Sequence, residues 1–291
     1  MPISPAFAPT SPDADADAPP AVVEATVAES TDSAEASDAT AAAAPSDDAT
    51  TTEAELAEEP DLVGGLVDVE FQHVRFTYDT TVARNWTVQY LANPPADDAA
   101  ATLDTGPLRM VFQFGDYPAP LNNIQPFIYV YRIADISSQN EYKVANLLGA
   151  LLAKSAPLNN YKSLPFLPLI EEEQSIVAQA QFVQFQSGSG IRYLAIVSNA
   201  SEPFLADSVW YTFQGLTSDN KFYIAAVFPL AANMFPDVQE PDYDPVAFAD
   251  RLDEYLLLSK AALNLAPRSA FTPRLSRLDA LVESIQIAEG Q

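Results

Sequence analysis

Few side chains in this chain are spaced so that they could do chemistry together. His73 is the sole histidine among 291 residues. A Ser–His–Asp arrangement would have to use it, and one copy of the chain cannot put two imidazoles on a metal. It stands inside a strand-like run with no serine nucleophile motif around it, and it reads as an ordinary strand residue. Asp237, Glu240, Asp242 and Asp244 are the densest spaced carboxylates beyond the N-terminal region. Calcium takes several such oxygens around a turn, but this spacing is not an EF-hand loop and lacks its glycine. Asp244 precedes Pro245 and reads instead as a helix cap. Glu171, Glu172 and Glu173 form a second acidic group. Glycoside hydrolysis needs two acids opposed across a cleft, whereas three in succession read as a solvated turn. These groups call for no metal and no cofactor. Ser187 to Gly190 spell SGSG between two strand-like runs. A phosphate cradle leads from a strand into a helix, so this stretch reads as a hairpin turn. Gly188 or Gly190 is then expected in a backbone region closed to other residues.

The aromatic residues are the remaining chemical resource. Tyr129, Tyr131, Tyr193, Trp210, Tyr211, Phe213, Phe222 and Tyr223 cluster in strand-like runs. Tyr193, Trp210, Tyr211, Phe213, Phe222 and Tyr223 are the candidate binding face for a sugar or peptide. Core packing and cross-strand pairing account for the same residues equally well.

The elements that must position them are legible from residue 66 onward. Residues 175 to 230 hold four runs rich in Val, Ile, Phe, Tyr and Trp, joined by short turns such as SDNK, and predict an antiparallel meander. Leu66 to Tyr78 alternates apolar and polar, with a phase change near Gln72–His73 that predicts a bulge or a second strand. Trp86 to Leu91, Leu108 to Phe114 and Phe127 to Arg132 are further strands, and PPADDAAATLDTGP is a loop. Asn140 to Ser155 has a helical stripe of Tyr142, Ala145, Leu148, Leu151 and Leu152. A second helix is expected from Asp244–Pro245 to about Leu265, burying Val246, Ala249, Leu252, Tyr255, Leu256 and Leu263. A third follows Thr272–Pro273, the same start signal, and carries Leu275, Leu278, Leu281, Val282 and Ile285.

Charge divides the chain unevenly. The formal net charge is −26. Residues 1 to 61 carry fifteen Asp or Glu and no Lys or Arg, while the remainder carries 25 acids against 14 bases. The first sixty residues, poor in aromatics and rich in Ala, Asp, Glu, Thr, Ser and Pro, cannot bury enough apolar surface to offset their ordering entropy. They read as a disordered acidic arm over 1–63, a spacer or a solubilising tail. Without clustered Lys and Arg, neither nucleic acid nor an anionic membrane is an expected partner. Cysteine is absent, which removes disulfides, thiolate nucleophiles and thiolate metal sites. There is no apolar run long enough for a transmembrane segment. The start, MPISPAFAPTSP, lacks the basic and apolar regions of a signal peptide.

Several blocks together resemble an uncharacterised family of bacterial secreted proteins and lipoproteins. They are LPFLPLI, AQAQFVQFQSGSGIRYLAIVS, VWYTFQGLTSDNKFYIAAVFPL and the closing SAFTPRLSRLDALVESIQI. The resemblance covers most of residues 66 to 287 and implies a location rather than a chemistry. Lipoprotein members carry an anchoring cysteine near the start, and this chain has none. More distantly, long meandering strands followed by a helix and a Ser-Ile-x-Ile ending look like the PsbP-like α/β/α sandwich, an analogy of fold that carries no function.

The expected architecture is α+β, with a largely antiparallel sheet packed on about three helices. It occupies one domain over 64–288, with a subdivision near residue 160 as the alternative. The expected function is an extracytoplasmic binding module recognising a protein, peptide or glycan at the cell exterior, without a cofactor. Competing readings are a carboxylate-dependent hydrolase using Glu171 to Glu173 or the 237–244 loop, and a structural surface domain without activity.

Overall fold

A computed structural model describes residues 64–91, 107–120, 124–136, 138–154, 157–198, 201–240 and 242–288. The expected acidic arm and most of the PPADDAAATLDTGP loop lie outside these residues. The described residues belong to one compact unit.

The fold is α+β and its sheets are antiparallel. A hairpin of β1 (Leu66–Phe71) and β2 (Val74–Asp79) opens the described chain, followed by β3 (Asn85–Leu91), β4 (Arg109–Gly115) and β5 (Phe127–Arg132). Helix α1 (Gln139–Lys154) precedes the meander of β6 (Gln174–Phe185), β7 (Gly188–Val197), β8 (Val209–Thr217) and β9 (Phe222–Ala232). Then come α2 (Pro245–Ala249), α3 (Leu252–Leu265), β10 (Phe271–Thr272), α4 (Leu275–Glu283) and β11 (Gln286–Ile287). The large sheet runs β3-β4-β5-β9-β8-β7-β6, with β10 added to β9. Its β5–β9 pairing joins strands from before and after residue 160. A small sheet, β1-β2-β11, brings the first and last described strands together.

Antiparallel sheets often leave one face to water; this one is covered on both. Side chains alternate along each strand. Leu194, Ile196, Tyr211, Phe213, Ile224, Ala226 and Phe228 face one core, which is closed by the small sheet, α4 and Leu263 of α3. Tyr193, Ala195, Tyr223, Ala225 and Val227 face a second core, closed by Ala145, Leu148 and Leu151 of α1 and by the Leu158–Leu167 stretch. This double burial explains why the central strands read as nearly unbroken apolar runs. Each buried ring withdraws on the order of 150–250 Å² from water, an upper estimate of about 4–6 kcal/mol before entropy.

Four local expectations are corrected. The phase change near residue 72 marks the second strand rather than a bulge, and the two strands meet in a tight hairpin with Gln72 at φ 52°; contrary to expectation, His73 lies in the turn and not in a strand. Phe71, Val69 and Val67 pair with Val74, Phe76 and Tyr78, so both strands present their apolar side to one core. The SGSG hairpin turns at Gln186–Ser187, and Gly188 to Gly190 already belong to β7. No described glycine has a positive φ. Glycine is required there by close approach instead: a Cβ on Gly190 would lie 2.5 Å from the Gln214 carbonyl oxygen and the Phe213 ring, and one on Gly188 would meet the Leu216 carbonyl.

The expected second helix is broken at Arg251, which has φ −117° and ψ 10°. Asp244 does cap α2, accepting from the Val246 and Ala247 amides. The break changes which side chains point inward: Val246 is exposed, and α3 buries Ser259 and Leu263. Thr272–Pro273 does not start the last helix, because Thr272 pairs with Ala231 in β10 and α4 begins at Leu275.

Candidate functional site

The six aromatic residues expected to form a binding face are mostly structural. Tyr193, Tyr211, Phe213 and Tyr223 are each 0% exposed, and Trp210 and Phe222 are half-buried. Because the sheet is covered on both sides, alternation drives neighbouring rings into opposite cores. Their polar ends hold the covering segments in place. The Tyr193 hydroxyl donates to the Pro165 carbonyl at 2.9 Å. Tyr223 donates to Gln214 Oε1 at 2.6 Å, and that oxygen also accepts from the Leu167 amide at 3.0 Å. Trp210 packs beside Phe166. These contacts fasten the LPFLPLI segment to the sheet. Burial raises the Tyr193 and Tyr223 hydroxyls well above the usual phenol range, so they stay protonated donors.

The acidic groups lie apart from any built centre. Glu171, Glu172 and Glu173 sit exposed in the turn before β6. A general acid in glycoside hydrolysis needs burial to keep its proton, and these side chains lack it. Asp237, Glu240 and Asp242 are exposed on the loop before α2. Among the described residues no three acidic or imidazole side chains gather as a metal site.

Sequence reading missed a buried charged cluster. Arg192 is paired with Asp279 of α4 through Nε–Oδ1 at 2.9 Å and Nη2–Oδ2 at 3.2 Å. The Tyr211 hydroxyl donates to the same Oδ1 at 3.0 Å, and Arg192 Nη1 donates to the Gln179 carbonyl at 3.1 Å. Gln179 has φ 47° and lies where the β6–β7 register shifts. This bulge turns its amide toward Asn264 Oδ1 and its side-chain nitrogen toward the Leu263 and Ala266 carbonyls. The cluster therefore locks β6, β7, β8, α3 and α4 together. Its signal in the sequence was the arginine within IRYLAIV, since a buried guanidinium requires a partner.

The strongest candidate site is a cavity of about 740 Å³ at the end of the large sheet, beneath the β1–β2 turn. Strand register builds its floor. Tyr90, Met110 and Val130 stand opposite one another across β3, β4 and β5, and Arg132 stands opposite Phe222 across β5 and β9. Met110 and Val130 belong to the first core, so the alternation puts all five on that face. His73 closes the cavity from the hairpin side, its ring 5.0 Å from that of Phe222. Tyr90 donates to Gln72 and fixes the hairpin over β3. Exposed Leu108 and Tyr90 complete an apolar wall.

The rim is cationic in an acidic protein. Arg132 and Lys221 stand at it, and Asp135 is the one carboxylate among its lining residues. Arg109 borders the cavity from β4, but it pairs with Tyr131 and its side chain turns to the second core. Lys221 is placed by the β8–β9 turn. Asp219 Oδ1 accepts from the Thr217 hydroxyl and the Lys221 amide, and Asn220 takes φ 55°. These hydrogen bonds hold the Asp219 carboxyl down at about 2. Lys221 Nζ lies 3.0 Å from Asp219, and Arg132 Nε 3.9 Å from Asp135. Arg109 is buried with its guanidinium 4.8 Å from the Tyr129 ring centre. His73 titrates below the ordinary imidazole value, first because burial penalises its charged form and then because Arg132 repels it. The cations were missed because they are far apart in sequence, at a strand end and in a turn.

No protein-family model, curated protein or solved structure matches this chain.

Proposed function

We propose that this chain is a binding module that holds a small ligand, or the end of a larger one, in the cavity under the β1–β2 turn. The observation that carries the reading is convergence. Four strands, the Gln72–His73 turn and the Asn220–Lys221 turn put apolar floor, aromatic walls and a few polar groups around one concave space. Small-ligand sites have that make-up and that size, roughly 300–1,000 Å³. A cavity suits a peptide end or a saccharide unit better than a broad protein face.

The resemblance of the YTFQGLT and FTPRL…LDALVESI blocks to secreted proteins supports an extracytoplasmic location for this activity. Fractionation of the source cells checks it, and protein confined to the cytosol rejects it. The binding reading is tested by exposing purified chain to an envelope extract, then recording native mass spectra. A bound small molecule is expected on the wild type and not on Ala134→Trp, whose exposed lining position narrows the cavity without touching a core. An adduct retained at the same level by Ala134→Trp places the ligand elsewhere and overturns the reading.

A further inference from the structure

We infer that the ligand of this cavity is an organic anion: a carboxylate, phosphate or sulfate head on an apolar, ring-sized body. The inference rests on the cavity being the binding site and adds the chemistry that fills it. The chain has 40 acidic side chains and 14 Lys or Arg, yet two of those bases, Arg132 and Lys221, and the only histidine face this one space with a single lining acid. A chain of net charge −26 repels anions on the whole, so cations grouped in one recess stand out against its field. Positive groups in a recess with low-dielectric walls focus the field into it.

The geometry separates head from body. Met110 and Val130 form an apolar floor, and Tyr90 and Phe222 offer ring surface beside it. Arg132 and Lys221 stand at the rim with side chains 65% and 62% exposed. Each already touches one carboxylate, but exposed ion pairs contribute little and exchange readily, so an entering anion can share or replace Asp135 and Asp219. A charge-assisted hydrogen bond to guanidinium or ammonium inside the recess is stronger than those surface pairs. His73 takes part as a neutral imidazole beside Phe222, with Arg132, Lys221 and Asp135 as the charged groups around the same space. An anion there offsets the repulsion from Arg132 and favours the imidazolium.

The single histidine makes the test direct, since the chain gives one imidazole Hε1 signal by proton NMR. The probes are 2-naphthoate, its neutral isostere 2-naphthamide, and inorganic phosphate, each titrated into the full chain at two pH values. Naphthoate is expected to move the His73 signal saturably and to raise the pH at which His73 protonates. Naphthamide should bind at least about tenfold more weakly, the scale of one lost hydrogen bond to a charged group. The exposed double variant Arg132→Gln, Lys221→Gln should bring naphthoate down to the naphthamide level and leave naphthamide unchanged. Equal binding of both naphthalenes overturns the anionic head while keeping the cavity as the site. Phosphate binding as tightly as naphthoate overturns the apolar body. No movement of the His73 signal by any probe overturns the site itself, and with it the anion.

Discussion

Arg192 and Arg132 stand on the same face of the large sheet, one paired with Asp279 of α4 and the other beside Lys221 of the β8–β9 turn, and the two groups live under opposite rules. Arg192 and Asp279 have side chains 2% and 7% exposed. They meet in two-point contact, and Tyr211 and Gln179 take up further hydrogen-bonding capacity. Removing such charges from water costs several kcal/mol per ion, so the cluster persists only because every part is matched. Arg132 and Lys221 keep most of their surface in water, and each lies beside a half-buried carboxylate, Asp135 and Asp219. A saturated cluster has nothing left to offer a ligand and serves as a fastening. An open cluster over an apolar floor contributes little to the fold and keeps its binding capacity. Polar residues divide here by how fully their partners are supplied, rather than by how much charge they carry.

The largest effect should come from breaking the sealed side. Asp279→Ala leaves Arg192 buried without its carboxylate and is expected to cost about 3–5 kcal/mol in chemical denaturation. The paired replacement Arg192→Met, Asp279→Leu should recover most of that loss, because two apolar side chains leave no stranded charge. If Asp279→Ala is neutral, the cluster is not the fastening described.

The next largest effect lies in the glycine track beside it. Gly190→Val forces a side chain into the Gln214 carbonyl and the Phe213 ring, and should lower stability by about 1–3 kcal/mol. An unchanged denaturation midpoint would mean that β7 and β8 can move apart.

On the open side, Arg132→Gln or Lys221→Gln should change stability by no more than about 0.5 kcal/mol. A loss as large as that of Asp279→Ala would erase the distinction between the two regions.

The smallest effect concerns the turn that sets Lys221. Asp219 has a folded-state value of about 2, below the ordinary carboxylate range. Its contribution is therefore complete above that ordinary range and disappears as pH falls toward 2. Asp219→Asn should be slightly less stable than wild type near neutral pH, and the gap should close on acidification. A gap that widens in acid contradicts the assigned hydrogen bonds.

The contrast between the regions also marks what could be read from sequence. The meander, the SDNK turn and the Asp244 cap were legible because each is a local signal of periodicity, turn chemistry or capping. The hairpin at Gln72–His73 showed as a phase slip that left a bulge and a second strand open, since its φ of 52° belongs to a glutamine and not to a glycine. The rings of Tyr193 and Tyr211 read equally well as a binding face or as core, because the sequence does not say whether one side of the sheet is open. That the second side is covered by α1 and residues 158–167 is a tertiary fact without a local mark. The cavity was less legible still. Arg132 and Lys221 are 89 positions apart and meet because β5 lies beside β9 in this topology.

The most direct measurement is the pH titration of the His73 imidazole signal in wild type and in Arg132→Gln. Burial holds His73 below the ordinary imidazole value and Arg132 lowers it further, so the folded state disfavours the proton and loses that part of its stability as pH falls. If Arg132 and His73 face one cavity, removing the guanidinium charge raises the His73 value while burial keeps it short of the ordinary one. An identical titration in the two proteins would show that the cations do not converge on His73, and the open region would then be surface charge with no site beneath it.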